Sequence, residues 1–273
     1  MELVVFDLDG TLLNKSSEIS AYTRDTLALL TDRGIAYTVA TGRTLHATRA
    51  LIEGHNFVLP QIYKNGVMTW RPDIEDYSHQ FMLTQNEVNT VLSAFMSRDV
   101  TPFIFTLGKN NHHAIYHAPL QNDMERKLVK DFRDNRGLPV LSVDELPDDV
   151  DITNISALGA REAIEAVADL VAGEDHLVAY MGETTLNSNV CWIDVHHSAG
   201  SKGNAVSQLK QDLGLSRVIC FGDSDNDLSM FATADECYAP INARSDVKAQ
   251  ATQVIGHHNE EGIAQFLRER FSL

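Results

Sequence analysis

Four apolar residues, Leu3-Val4-Val5-Phe6, run without a polar break and stop at Asp7. An uninterrupted β-rich run of this length reads as a strand buried on both faces, as in a parallel sheet covered by helices. The period then changes. Ile19, Tyr22, Leu27, Leu29 and Leu30 recur at helical spacing and predict a helix over residues 20–32, with Gly34 as its C-cap. A second strand is predicted over 35–40, a second helix over 44–53 and a third strand over 61–64, which ends on the turn signal Asn65-Gly66. The same alternation returns near the C-terminus, with helix over 203–213, strand over 217–221 and helix over 227–234. Strands alternating with helices predict right-handed crossovers and a doubly wound, Rossmann-like parallel sheet.

The middle of the chain follows another pattern. Helices are predicted over 84–98, 122–135 and 161–172. Strands are predicted over 103–107, 112–117, 152–158 and 177–181, the first two around Gly108-Lys109-Asn110-Asn111. The expected fold class is therefore α/β: a doubly wound core formed by residues 1–83 and 191–273, with an α+β domain, 84–190, inserted in it.

Polar residues gather where the core strands end. Asp7 and Asp9 follow the first strand, and alternate residues of an extended chain share a face, so both are expected to serve one substrate. Ligands of open α/β sheets bind beyond the carboxyl ends of the strands. Gly222-Asp223-Ser224-Asp225-Asn226-Asp227 follows the strand over 217–221, and two acidic strand ends can converge on a hard, oxygen-liking cation. Magnesium fits, since it takes few carboxylates, and calcium is second because no calcium-loop spacing is present. Thr41-Gly42-Arg43 and Ser201-Lys202-Gly203 place a hydroxyl, an ammonium and helix-start N–H groups at two more strand ends, which suits a phosphate.

Together these segments resemble the four motifs of the haloacid dehalogenase superfamily, and the inserted domain resembles the cap of its Cof-type (subclass IIB) phosphatases. Asn65-Gly66, Asn242-Ala243, Lys248 and Glu261-Gly262 are further echoes, whereas Cys237 to Ile241 departs from the family's small residues, which would reshape a nearby loop but removes no catalytic group. The resemblance implies that Asp7 attacks phosphorus to form an aspartyl phosphate. Asp9 would protonate the leaving oxygen and then activate water, a role that asks for a buried Asp9 beside other carboxylates. Magnesium would bind Asp7, the Asp9 backbone carbonyl and Asp223, with Asp227 behind them. Thr41 and Lys202 would hold phosphoryl oxygens, with Gly42, Arg43, Asn65, Gly66 and Asn226 around the phosphate. The implied substrates are small phosphorylated metabolites, such as sugar phosphates, pyridoxal phosphate or FMN. A phosphotransferase or phosphomutase using the same nucleophile, and a catalytically silent regulatory protein, are the competing readings.

Composition narrows the setting. The 273 residues carry a net charge of −16, which repels nucleic acid and anionic lipid, so neither is an expected partner. Five of the acids are Asp7, Asp9, Asp223, Asp225 and Asp227, so part of that charge is the expected site, and phosphate binding there would need the cation. Three widely spaced cysteines predict no disulfide framework, no membrane span is expected, and the opening apolar run is too short for a leader; a cytoplasmic enzyme is the expectation. The acidic stretch 144–151 is expected to be an exposed loop, the adjacent histidine pairs not to chelate metal, and Trp70 and Trp192 to be packing residues.

Overall fold

The computed structural model describes residues 2–184 and 187–273. In chain order the strands are β1 (Glu2–Phe6), β2 (Ala36–Val39), β3 (Gln61–Tyr63), β4 (Met68–Arg71), β5 (Asp76–Gln80), β6 (Phe103–Leu107) and β7 (His113–His117). They continue as β8 (Val140–Ser142), β9 (Asp151–Ala160), β10 (Leu177–Thr184), β11 (Asn187–His197), β12 (Arg217–Phe221), β13 (Glu236–Pro240) and β14 (Gln253–Ile255). The chain forms two compact units, one from the segment up to Gln80 with Gly200–Leu273, the other from Phe81 to Ala199.

The first unit is built on a parallel sheet of order β14-β13-β12-β1-β2. Alternation along β1 sorts its side chains onto the two faces. Val4 and Phe6 join Ile219 and Phe221 against helices Ala21–Asp32 and Gly262–Phe271, through Leu27, Leu30, Ile263 and Leu267. Leu3 and Val5 join Val218 and Cys220 against helix Lys202–Asp212, through Ala205, Val206 and Leu209. Each such buried apolar side chain contributes roughly 1.5–3 kcal/mol, which is why these strands carry no inward polar residue. Phe6 lies in register with both Phe221 and Val39, so Asp7, Gly222 and Ala40 emerge at one level. The antiparallel set β3-β4-β5 belongs to the same unit.

The stretch from Cys237 lies in strand β13, whose buried Cys237 and Ala239 pack into the core. Helix is shorter than expected after Asp223: a tight turn, Asp225–Asp227, runs into Leu228–Phe231.

The second unit is a sheet of order β10-β11-β9-β6-β7-β8, antiparallel except between β7 and β8. Helices Gln85–Met96 and Arg161–Val171 cover one face through Val91, Phe95, Ile164 and Val167. Helix Asp123–Asp134 packs Val129 and Phe132 on Phe103, Phe105 and Ile115 of the other. The unit runs to Ala199 because β11 continues unbroken to His197, past the boundary at 190 expected from sequence. Trp70 is buried edge-on against Tyr77, as a packing residue should be. Trp192 is instead 40% exposed and lies over Gly182, where an added Cβ would be 2.9 Å from its ring.

Candidate active site

The site grows from the ends of β1, β2 and β12. Beyond Phe6 the chain stops being extended. The Asp7 N–H still continues the sheet to the Phe221 carbonyl (2.9 Å), but its own carbonyl accepts from Leu12 N–H, closing a wide turn over Leu8–Leu12. Gly10 sits in that turn at φ +76°, a conformation that favours glycine, and a Cβ there would overlap the Asp223 carboxylate. The turn ends the extended chain on which the expectation of a shared face for Asp7 and Asp9 rested, and leaves Asp7 buried and Asp9 exposed.

Asp7 is buried and points at Lys202, its Oδ1 2.6 Å from Nζ. Lys202 is the first residue of its helix, capped by the Ser201 hydroxyl, which accepts from Asn204 N–H. Its ammonium is fully buried and also lies 2.6 Å from Asp227 Oδ1. The other Asp227 oxygen accepts the N–H groups of Asp223 (2.8 Å) and Ser224 (3.0 Å). Asp227 thus has both oxygens engaged and acts as a bracket between the lysine and the loop after β12. Carboxylate oxygens of Asp7, Asp223 and Asp227 lie within 4.8 Å of one another.

One ammonium faces three carboxylates, and the electrostatics show the deficit. Burial, reinforced by Asp227 and Asp223, pushes Asp7 well above the usual carboxylate range against the pull of Lys202. Burial, with Asp227 next, pushes Asp223 up to about 7. For Lys202 burial opposes the charge, but Asp227 and Asp7 outweigh it and raise its pKa. An all-oxygen, net-negative, buried set of this kind suits a hard divalent cation. Asp7 and Asp223 are the two carboxylates with capacity left to ligate one.

Asp9 departs from its expectation. Its side chain is 55% exposed and clasped by Arg43, with Nε 2.7 Å from Oδ2 and Nη2 2.6 Å from Oδ1. Its carboxylate lies outside the group of three, without the burial expected for it, although its charge still helps to raise Asp223.

The segment after β2 folds onto the same level. Thr41 is buried, and its hydroxyl accepts from Arg43 N–H at 3.1 Å. Lys64 and Asn65 donate their N–H groups to the carbonyls of Arg43 and Thr41, both at 3.0 Å. Asn65, at φ 56°, accepts from the Asn226 amide at 2.9 Å, and a Cβ on Gly42 would lie 3.0 Å from the same oxygen. Asn226 Oδ1 is buried and has no hydrogen-bond partner among the described residues. A Cβ on Gly66 would overlap the Ser201 carbonyl. The Lys64–Gly66 turn therefore joins the segments of Thr41, Lys202 and Asn226.

Sequence reasoning missed a further link. Asn242, after β13, donates its amide to the Gly10 carbonyl (2.8 Å), and its Oδ1 accepts from His258 N–H (3.1 Å). The only signal for it was its presence in the family resemblance.

The chain belongs to the haloacid dehalogenase-like hydrolase family, which it matches over residues 4–267. It is 27% identical to the 5-amino-6-(5-phospho-D-ribitylamino)uracil phosphatase YwtE of Bacillus subtilis (strain 168), over 100% of this chain and 99% of that protein. It is 24% identical to the pyridoxal phosphate phosphatase YbhA of Escherichia coli (strain K12), over 97% of each. Its fold is similar to that of a solved haloacid dehalogenase-like hydrolase from B. subtilis, with a TM-score of 0.80, 24% identity, and coverage of 98% of this chain and 99% of that one. No helix among the described residues is long and apolar enough to cross a membrane.

Proposed function

We propose that the chain is a magnesium-dependent phosphatase of small phosphorylated metabolites that works through an aspartyl phosphate on Asp7. The observation that carries this reading is the buried Asp7 carboxylate at the end of β1, 2.6 Å from the buried Lys202 ammonium and within 4.8 Å of Asp223 and Asp227.

The Asp7 oxygen not held by Lys202 attacks phosphorus, and the bond to the ester oxygen breaks. Asp9, in its protonated form and with one oxygen freed from Arg43, gives its proton to that leaving oxygen. Asp9 then takes a proton from a water that attacks the phosphorus, the bond to Asp7 breaks, and inorganic phosphate leaves. Thr41, Lys202 and the donors of Gly42, Asn65 and Gly66 hold phosphoryl oxygens, with Arg43 setting the direction of Asp9. Asp7, Asp223 and the Asp9 carbonyl would hold magnesium, positioned by Asp227; when bound, it neutralises charge on the phosphoryl oxygens.

The two relatives are named for different phosphate esters, which supports a shared phosphoryl site serving varied metabolites. Selection among them is assigned to the inserted unit Phe81–Ala199. Three buried free thiols, Cys191, Cys220 and Cys237, fit a reducing cytoplasm. The test is phosphate release from a panel of sugar phosphates, pyridoxal phosphate, FMN and ribitylaminouracil phosphate. Release is expected with magnesium, none with EDTA and none from Asp7→Asn; wild-type turnover by that variant would remove the nucleophile.

A further inference from the structure

The turn that carries Asp9 is fastened from outside itself at two points. At Gly10, directly after Asp9, the carbonyl accepts the Asn242 amide at 2.8 Å. At Leu13, where the turn ends, the carbonyl accepts from His258 Nδ1 at 2.8 Å. The two fasteners are tied to each other, since His258 N–H donates to Asn242 Oδ1 at 3.1 Å. The side chains come from the end of β13 and from the turn His258–Glu260. Within the turn itself the Leu12 and Leu13 N–H groups reach back to the carbonyls of Asp7 and Leu8. No hydrogen bond among the described residues fixes the Asp9 carboxylate to backbone; its partner is the Arg43 guanidinium. The Gly10–Thr11 peptide that Asn242 holds lies one residue beyond the Asp9–Gly10 peptide, so Asn242 bears on Asp9 through the conformation of Gly10 (φ +76°), while Arg43 holds its carboxylate.

We infer that Asn242 and His258 are positioning residues for the proton donor Asp9, acting through the Gly10 and Leu13 carbonyls. The inference rests on the phosphatase reading given above. It differs from a general structural role in a measurable way. A misplaced Asp9 slows only those phosphoryl transfers whose leaving oxygen needs a proton. A sugar alkoxide needs one, whereas p-nitrophenolate leaves without it. The parameter kcat/KM isolates this first step, because it covers events only up to formation of the aspartyl phosphate.

The experiment compares kcat/KM for glucose 6-phosphate and p-nitrophenyl phosphate, with magnesium, in wild type, Asn242→Ala, His258→Ala and His258→Asn. The loss in Asn242→Ala is expected to be about 10-fold or more larger on glucose 6-phosphate than on p-nitrophenyl phosphate. His258→Ala should show the same asymmetry more weakly. His258→Asn, whose amide replaces the Nδ1 donor, should restore it toward wild type. Equal losses on both esters, or no loss on glucose 6-phosphate in Asn242→Ala, would overturn the inference. Where the wild type does not turn over glucose 6-phosphate, the alkyl phosphate of the panel that it does turn over takes its place; release from no ester of the panel would instead overturn the phosphatase reading, and this inference with it.

Discussion

Arg43 grips both carboxylate oxygens of Asp9, at 2.6 and 2.7 Å, on the exposed side of the site. The pair is half open to water, so its share of fold stability is small, about 1 kcal/mol or less. On the proposed mechanism its share of activity is larger, because it aims the proposed proton donor. Arg43→Ala is expected to change unfolding free energy in urea by less than about 1 kcal/mol while lowering kcat/KM on sugar phosphates about 10-fold or more. A parallel loss of stability and activity would count against that separation.

The acidic cluster predicts how the metal-free protein responds to pH. Burial and Asp227 lift Asp223 from 3.8 to about 7. Between those values the folded chain holds a proton that the unfolded chain has released, so stability falls as pH rises through that window. Asp7, raised chiefly by burial, acts in the same direction. Magnesium, on the proposed assignment, would bind the ionised forms and offset the cost. The rise in Tm on adding magnesium should therefore be larger at pH 8 than at pH 5. An equal or smaller rise at pH 8 would contradict the assignment of Asp7 and Asp223 as its ligands.

Gly66 tests how tightly the turn beside Thr41 is fitted to the start of the Lys202 helix. It stands at φ +100°, and a Cβ would overlap the Ser201 backbone. Gly66→Ala should cost roughly 3 kcal/mol or more, from backbone strain and overlap together. Gly137 is the control: its φ is +63°, but nothing lies within 4 Å of an added Cβ. Gly137→Ala should cost only about 1–2 kcal/mol. Similar midpoints for the two variants in urea would refute the close fit.

What the sequence discloses about this site follows from where its information is local. β1 and β12 are legible because burial on both faces leaves a bare apolar run, and the first acid after each run marks the strand end. Asp7, Asp223 and Asp227 are legible for the same reason, Thr41 because it follows β2, and Lys202 because it opens a helix. β13 is less so, since Glu236, Cys237 and Pro240 break the pattern and its identity comes from parallel pairing with β12. The end of the inserted unit at Ala199 is hidden because β11 carries apolar residues on one face and Trp192, Asp194 and His196 on the other. The outward turn of Asp9 is hidden too. Spacing alone treats the chain as extended through Asp7-Leu8-Asp9, whereas a backbone bond from Leu12 to Asp7 ends the extension. The tie from Asn242 to Gly10 spans 232 residues, so no local pattern announces it.

The central claim is that Asp7 is transiently phosphorylated. Borohydride reduces an acyl phosphate on aspartate to homoserine, so the direct measurement is to quench wild-type protein during turnover of a phosphate ester with magnesium, reduce it, and read residue 7 by peptide mass spectrometry. Homoserine at position 7, absent without substrate and absent in Asp7→Asn, is the predicted result. Steady phosphate release with aspartate unchanged at position 7, accompanied by wild-type turnover in Asp7→Asn, would contradict it.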